Sequence, residues 1–212
     1  MKKTIIFDLD GTLLNTLDDI TNCVNYTLNK LNLKPVDTLE VRGFLGNGAK
    51  VLIQKSLKKN AHLIVEALDI YLPYLEKNSM ILTKPYPNIL NILNKLKEKY
   101  NLAVVSNKHQ NGVDKVINHY FPNIFDLVIG ERDNLPKKPD PKPLLYAVEK
   151  LESTIEKSIF IGDSEVDLQT ANNAKMDVIG VTWGFRDKNV LMNYNPKYLI
   201  DDPLKILEIL GE

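Results

Sequence analysis

IIFDLDGTLL, residues 5–14, is the stretch that decides the fold of this chain. An apolar run typical of a buried strand leads into two carboxylates, Asp8 and Asp10, and then into a glycine turn. If the strand ends at Asp8, both acids lie at the carboxyl edge of a sheet, where open α/β folds bind their ligands. Two acids at one strand tip repel each other unless a cation lies between them. We therefore predict a Mg2+ site here, because this ion takes carboxylate and carbonyl oxygens and leaves positions for water and phosphate.

The composition is that of a folded, soluble protein. The 212 residues are enough for one sizeable α/β core, or for a core with a smaller inserted domain. Hydrophobic residues make up 44% and charged residues 25%, which argues against a disordered or membrane-spanning chain. Basic and acidic residues balance at 27 each, so charge gives no reason to expect general binding to nucleic acid or to membrane surfaces. We expect a small-molecule partner and a monomer or homodimer.

Cysteine usage and the amino terminus indicate the compartment. The single cysteine, Cys23, cannot form an internal disulfide. The apolar run at the amino terminus is brief, and Asp8 interrupts it, so it does not have the form of a secretory signal. A reducing, cytoplasmic location is therefore predicted.

Short runs rich in valine and isoleucine alternate with segments of helical spacing along the chain. This alternation is typical of a parallel sheet with crossover helices, so we predict an α/β fold with a doubly wound, mostly parallel, Rossmann-like core. Right-handed crossovers would bring the polar strand ends to one edge of the sheet. The predicted strands are Thr4 to Phe7, Leu102 to Ser106, Leu127 to Ile129, Ser158 to Ile161 and Val178 to Val181.

The first two predicted strands are separated by about 90 residues, far more than one crossover needs. Apolar residues such as Leu17, Ile20 and Val24 recur there every three or four positions, which predicts amphipathic helices. We therefore predict an inserted helical cap domain at residues 15–84, with the core formed by residues 1–14 and 85–212.

Four segments together resemble the four motifs of the haloacid dehalogenase-like phosphohydrolases. They are DLDGT at 8–12, SNK at 106–108, KPDPKP at 138–143 and GDSEVD at 162–167. The segment VRGFLGNGA at 41–49, with Tyr86-Pro87 and residues 182–184 downstream, looks most like the phosphoglycolate phosphatase branch. The resemblance covers nearly the whole chain and implies a Mg2+-dependent phosphatase. One departure is Asn15-Thr16, where the family more often has an acidic residue followed by serine.

Two acids of the first motif carry the expected chemistry. Asp8 is the expected nucleophile, because a carboxylate can attack phosphorus and form an aspartyl-phosphate that water later breaks. Asp10 emerges from the same strand end and is expected to protonate the leaving oxygen, then to take a proton from the attacking water. The resemblance implies that Asp8, Asp163 and the backbone carbonyl of Asp10 hold the metal.

The later motifs supply groups for the phosphoryl oxygens and for the metal's surroundings. Ser106 is expected to offer its hydroxyl to a phosphate oxygen, with Asn107 in support. Lys138 lies in a proline-restricted run and is predicted to hold its ammonium near the transferring phosphoryl group, with Lys137 as an alternative. Asp167 is four residues after Asp163 and is predicted to orient a coordinated water or Lys138.

Ordinary structural interpretations compete with these roles. Asp8 and Asp10 could form a turn, and Asp163 could cap a helix, since aspartate is favoured at such positions. Four polar clusters at strand ends, in the order of the family, favour a catalytic site. In the predicted cap, four residues are candidates for closing over a substrate carboxylate, although they could equally be solvated surface. They are Arg42, Gly46, Asn47 and Lys50.

The sequence thus predicts a phosphomonoester hydrolase, with 2-phosphoglycolate as the leading substrate by resemblance. A pyrophosphatase or a broad sugar-phosphate phosphatase would share the chemistry, because substrate choice depends on cap residues. A phosphoglucomutase-like enzyme would return the phosphoryl group to a second hydroxyl, and a dehalogenase of the same fold works without a metal. A hypothesis from another class is a phosphate-binding regulatory module without turnover, against which the intact Asp10 argues.

Overall fold

A computed structural model describes residues 3–212 of the chain. Within these residues the strands are β1 (Thr4–Phe7), β2 (Leu14–Asn15), β3 (Lys84–Pro85), β4 (Asn101–His109), β5 (Leu127–Glu131), β6 (Ser158–Gly162), β7 (Asp177–Val181) and β8 (Tyr198–Ile200). Six of them form one parallel sheet in the order β5-β4-β1-β6-β7-β8, and the two short strands β2 and β3 form a separate antiparallel pair. The sheet extends from β1 through β4 to β5 on one side and from β6 to β8 on the other, so the strand order reverses beside β1.

The predicted fold class is confirmed. All five predicted strands lie in the parallel sheet, and β4 continues past the predicted end at Ser106 to His109. The strand β8 was missed because three residues at a sheet edge carry too short a pattern to identify.

Helices connect the strands and cover the sheet. Two 3-10 helices, Lys58–Leu63 and Ile155–Lys157, interrupt the series. The α-helices are α1 (Leu17–Lys30), α2 (Thr38–Phe44), α3 (Ala49–Ser56), α4 (Ile64–Asn78), α5 (Ile89–Lys97), α6 (Gln110–Tyr120), α7 (Lys142–Lys150), α8 (Glu165–Ala174), α9 (Lys188–Met192) and α10 (Lys205–Leu210). No helix within residues 3–212 is long and apolar enough to cross a membrane.

Buried side chains alternate between the two faces of the sheet. Ile5 and Phe7 of β1 belong to one apolar cluster, whereas Ile6 belongs to the cluster on the opposite face. Both faces of β1 are therefore covered, as is usual for a parallel sheet, and its carboxyl end is left as the part that can meet a ligand.

The helices α1 to α4 form a third apolar cluster of their own, which also receives Phe185 from the core. The antiparallel pair β2 and β3 lies where the chain enters and leaves this helical segment. The buried carboxylate of Asp19 on α1 accepts the backbone N–H groups of Ile81, Leu82 and Thr83 just before β3. The return of the chain to the core is therefore tied to the first helix of the segment.

Candidate active site

The carboxyl ends of β1, β4 and β6 place polar residues around one cavity of about 320 Å3. Residues of α1, α3 and α4 line its other side. The cavity lies at the sheet edge that the sequence predicted, beside the point where the strand order reverses. Eight of the predicted site residues line it: Asp8, Asp10, Gly46, Ser106, Asn107, Lys138, Asp163 and Asp167.

Lys138 bridges two of these acids. Its Nζ donates to Asp8 Oδ1 and to Asp167 Oδ1 at 2.6 Å each, and its side chain is 3% exposed. Burial alone would lower the pKa of Lys138, but the neighbouring carboxylates of Asp167 and Asp8 raise it above the ordinary value. The ammonium therefore stays charged beside Asp8.

Asn107 fixes the backbone of Lys138. Its Oδ1 accepts the Lys138 N–H at 2.9 Å, and its Nδ2 donates to the Lys138 carbonyl at 3.0 Å and to the Gly46 carbonyl at 2.9 Å. The amide thus joins Lys138 to the helical segment, and its direct contact with a phosphate stays a prediction. Lys137 pairs with Glu131 at 2.7 Å, so Lys138 is the lysine that faces Asp8.

Asp163 is held on both carboxylate oxygens. Its Oδ1 accepts from Thr12 Oγ1 at 3.0 Å, and its Oδ2 accepts the Phe185 N–H at 2.7 Å. Gly11, at φ +96°, and Gly184 approach this carboxylate so closely that a Cβ at either position would collide with it. Burial, followed by the charge of Asp167, raises the pKa of Asp163 to about 7.

Asp167 is positioned by the start of α8. Its Oδ2 accepts the Ser164 N–H at 3.0 Å and the Ser164 hydroxyl at 2.6 Å, which forms a capping box. Gly162 lies against this side chain and leaves no room for a Cβ. The helix cap and the contact with Lys138 therefore depend on the same carboxylate.

Three of the acids form a buried group that could hold a metal ion. Carboxylate oxygens of Asp8, Asp163 and Asp167 all lie within 4.8 Å of one another. Burial raises the pKa of Asp8 well above its usual range, Lys138 opposes this rise, and the charges of Asp167 and Asp163 add to it. The Lys138 ammonium contacts two of these three acids, and a divalent cation would relieve the remaining repulsion. The donor set of carboxylate oxygens fits Mg2+.

The side chain of Asp10 pairs with Lys108 and is not a member of this carboxylate group. Lys108 Nζ lies 3.1 and 3.3 Å from the two oxygens of Asp10, and the two side chains are 9% and 19% exposed. Both residues line the cavity. The metal contact predicted for Asp10 involves its backbone carbonyl, and that contact stays a prediction.

Ser106 also lines the cavity and is buried. Its Oγ accepts the backbone N–H of Lys108 at 3.1 Å. Because this bond uses the oxygen as an acceptor, the hydroxyl hydrogen can point to a ligand.

The four candidate residues in the helical segment have different positions. Gly46 lines the cavity, whereas Arg42, Asn47 and Lys50 do not. Arg42 Nη2 instead donates to the Gly184 carbonyl at 3.3 Å and to Asp187 Oδ1 at 3.2 Å. In this structure, the side chain of Arg42 thus binds the loop that follows β7 and does not face the cavity.

Sequence reasoning missed a connection between that loop and the helical segment. The buried Arg186 donates to the carbonyls of Arg42 at 2.8 Å and Leu45 at 2.6 Å, and its Nε donates to Glu165 Oε2 at 2.5 Å. The neighbouring Phe185 packs into the helical segment while its N–H binds Asp163. Residues 182–184 stood out in the sequence only through their resemblance to the phosphoglycolate phosphatase branch, and no local pattern marks Arg186 as the anchor of this loop.

Comparisons with known proteins agree with this geometry. The family model described as haloacid dehalogenase-like hydrolase matches residues 5–181. A phosphoglycolate phosphatase of Colwellia psychrerythraea is 33% identical, with 94% of this chain and 93% of that protein covered. One from Psychrobacter arcticus is also 33% identical, over 99% and 96% of the two chains. The crystal structure of a predicted phosphoglycolate phosphatase from Haemophilus somnus has a TM-score of 0.92 at 30% identity, over 99% and 98% of the chains.

Proposed function

The chain belongs to the haloacid dehalogenase-like hydrolase family and is a phosphatase, and we propose that it hydrolyses 2-phosphoglycolate with the help of Mg2+. The single observation that carries the proposal is the buried arrangement of Asp8, Lys138, Asp163 and Asp167 at the end of the cavity. The names of the similar proteins support the choice of substrate.

Asp8 is the proposed nucleophile. Lys138 holds one of its carboxylate oxygens, which orients the other toward a bound phosphoryl group, and the same ammonium offsets negative charge there. Attack on phosphorus forms an aspartyl-phosphate and breaks the bond to the leaving oxygen. Ser106 donates its hydroxyl to a phosphoryl oxygen, and Asn107 keeps Lys138 in place through its backbone.

Asp10 is the proposed acid and base. It donates a proton to the leaving oxygen in the first step, and in the second step it takes a proton from the water that attacks the aspartyl-phosphate. The phosphoryl group then leaves as inorganic phosphate, and Asp8 returns to its initial state.

Asp8, Asp163 and the backbone carbonyl of Asp10 are the proposed holders of Mg2+. When bound, the ion offsets the charge of the carboxylates and of the phosphate, so that one anion can approach another. Thr12 and the Phe185 N–H orient Asp163 for this task, and Asp167 orients Lys138.

Residues 15–84 are the proposed cap, and residues 1–14 and 85–212 are the proposed core. The apolar cluster of α1 to α4 and the β2–β3 pair at the two crossings support this division. Closure of such a cap would exclude bulk water from the reaction.

The test is phosphate release by the purified protein over a panel containing 2-phosphoglycolate, p-nitrophenyl phosphate, sugar phosphates and pyrophosphate, with Mg2+ or EDTA. We expect Mg2+-dependent release with the highest kcat/KM for 2-phosphoglycolate, and loss of release in Asp8→Asn. The exposed Asp18→Asn is the matched control and should keep full activity. Turnover by Asp8→Asn would refute the nucleophile, and preference for another ester would refute the substrate.

A further inference from the structure

The carboxylate of 2-phosphoglycolate is charged at neutral pH, so a site that takes it out of water is favoured by a cation beyond the groups that serve its phosphate. The helical segment supplies none at the cavity, since the only charged side chain from residues 15–84 that lines it is the acid Glu76. Arg42 and Lys50 lie outside the lining, and Arg42 is paired with Asp187. The cations that line the cavity are therefore to be sought outside residues 15–84.

Among residues 3–212, three lysines outside the helical segment line the cavity, and each of them has a partner. Lys138 binds Asp8 and Asp167 with its buried ammonium. Lys115 is exposed, and its ammonium donates to the Glu76 carbonyl at 2.5 Å. Lys108 is paired with Asp10, and its side chain is 9% exposed. Of the two lysines that lie outside the buried group around Asp8, it is therefore the one that is shielded from solvent and lies beside the proposed acid.

The position of Lys108 suits an anion on the leaving-group side of the phosphate. Its alkyl stem lies over Gly112 in the first turn of α6, where a Cβ would meet its carbons at 3.6 to 3.7 Å. Its ammonium lies against Asp10, the residue proposed to protonate the leaving oxygen. An ammonium has three hydrogens, so the pair with Asp10 leaves donor capacity for a further oxygen.

We propose that Lys108 is a specificity-determining residue that binds a carboxylate in the leaving group of the substrate. This inference rests on the proposed function and deepens it. Through this contact, Lys108 would favour small phosphomonoesters that carry a second anionic group close to the ester oxygen. Esters of the same length whose leaving group has no charge would bind less well.

The test compares 2-phosphoglycolate with ethyl phosphate, which has two carbons and no carboxylate, in Lys108→Met and Lys108→Arg. Methionine keeps the apolar stem and removes the charge. We expect Lys108→Met to raise KM for 2-phosphoglycolate about 10- to 100-fold, because a charge-assisted bond is lost. Ethyl phosphate cannot make this bond, so its KM should rise at least about tenfold less, while any fall in kcat that both esters share reports the contact of Lys108 with Asp10. Lys108→Arg should recover part of the loss.

Lys115→Met is the matched control and should leave the preference between the two esters unchanged. Equal losses of kcat for both esters in Lys108→Met would overturn the proposal and assign Lys108 to positioning Asp10. A wild-type enzyme without preference for 2-phosphoglycolate over ethyl phosphate would also overturn it. If the proposed substrate is wrong, the wild-type protein itself prefers another ester of the panel. If only the assignment of Lys108 is wrong, the wild-type protein prefers 2-phosphoglycolate and Lys108→Met keeps that preference, so the two failures are distinguishable.

Discussion

Replacing Lys138 by methionine tests the electrostatics of the site most fully. The substitution removes the ammonium that lies 2.6 Å from both Asp8 and Asp167 and leaves three buried carboxylates without it. Removing one partner of a buried ion pair costs about 3–5 kcal/mol. Because Asp8 and Asp163 already have raised pKa values, protonation of these carboxylates will offset part of that cost. We therefore expect the free energy of unfolding to fall by about 3 kcal/mol at pH 8 in EDTA.

The assay is urea unfolding of Lys138→Met and of Lys137→Met from pH 5.5 to pH 8. Lys137 pairs with Glu131 at a half-exposed position, so Lys137→Met should lower the free energy of unfolding by less than about 1 kcal/mol at any pH. The penalty in Lys138→Met should grow as pH rises, since acids with raised folded-state pKa values destabilise the folded protein once they ionise. Phosphatase activity should fall at least about 1000-fold. Equal stability of the two variants at pH 8, or activity retained in Lys138→Met, would refute this reasoning.

Three further predictions follow from the same contacts. Folding raises the pKa of Asp163 to about 7, so the folded protein holds a proton that the unfolded chain has lost above about pH 4. The free energy of unfolding in EDTA should therefore fall as the pH rises from about 4 to about 7. Mg2+ should raise the melting temperature more at pH 8 than at pH 6, and a rise that does not depend on pH would contradict the site. Gly11→Ala should destabilise the protein by at least about 1 kcal/mol in urea unfolding and lower Mg2+-dependent activity, because its Cβ would collide with Asp163 at a positive φ. The control Gly43→Ala lies in the helix α2 with open space around it and should not destabilise the protein. Arg186→Gln should lower the free energy of unfolding by about 1–3 kcal/mol and speed proteolysis within residues 15–84, because two carbonyls of the helical segment lose their donor. An unchanged cleavage rate would show that Arg186 does not hold the segment.

The sheet and the acids at its edge could be predicted because their signals are local. An apolar run that ends in Asp8 identifies both a strand and its functional end, and Gly162-Asp163 repeats that pattern in β6. The strand β8 has no comparable signal, since its three residues are explained only by pairing with β7.

Contacts across the chain were beyond local reasoning. Arg42 was a reasonable candidate for a substrate carboxylate, but its direction is set by Gly184 and Asp187, more than 140 positions away. The pairing of Lys108 with Asp10 likewise depends on β1 and β4 lying side by side. Side-chain direction at such positions follows from tertiary packing, which a single sequence does not encode locally.

The central claim is that Asp8 attacks phosphorus, and the most direct measurement is to trap the covalent product. Borohydride reduces an aspartyl-phosphate to homoserine, so the enzyme is quenched with it during turnover of 2-phosphoglycolate and the digested protein is sequenced by mass spectrometry. We predict homoserine at position 8 with substrate and Mg2+ together, and none with EDTA. Homoserine at position 10, or none at position 8 while phosphate is being released, would contradict the account.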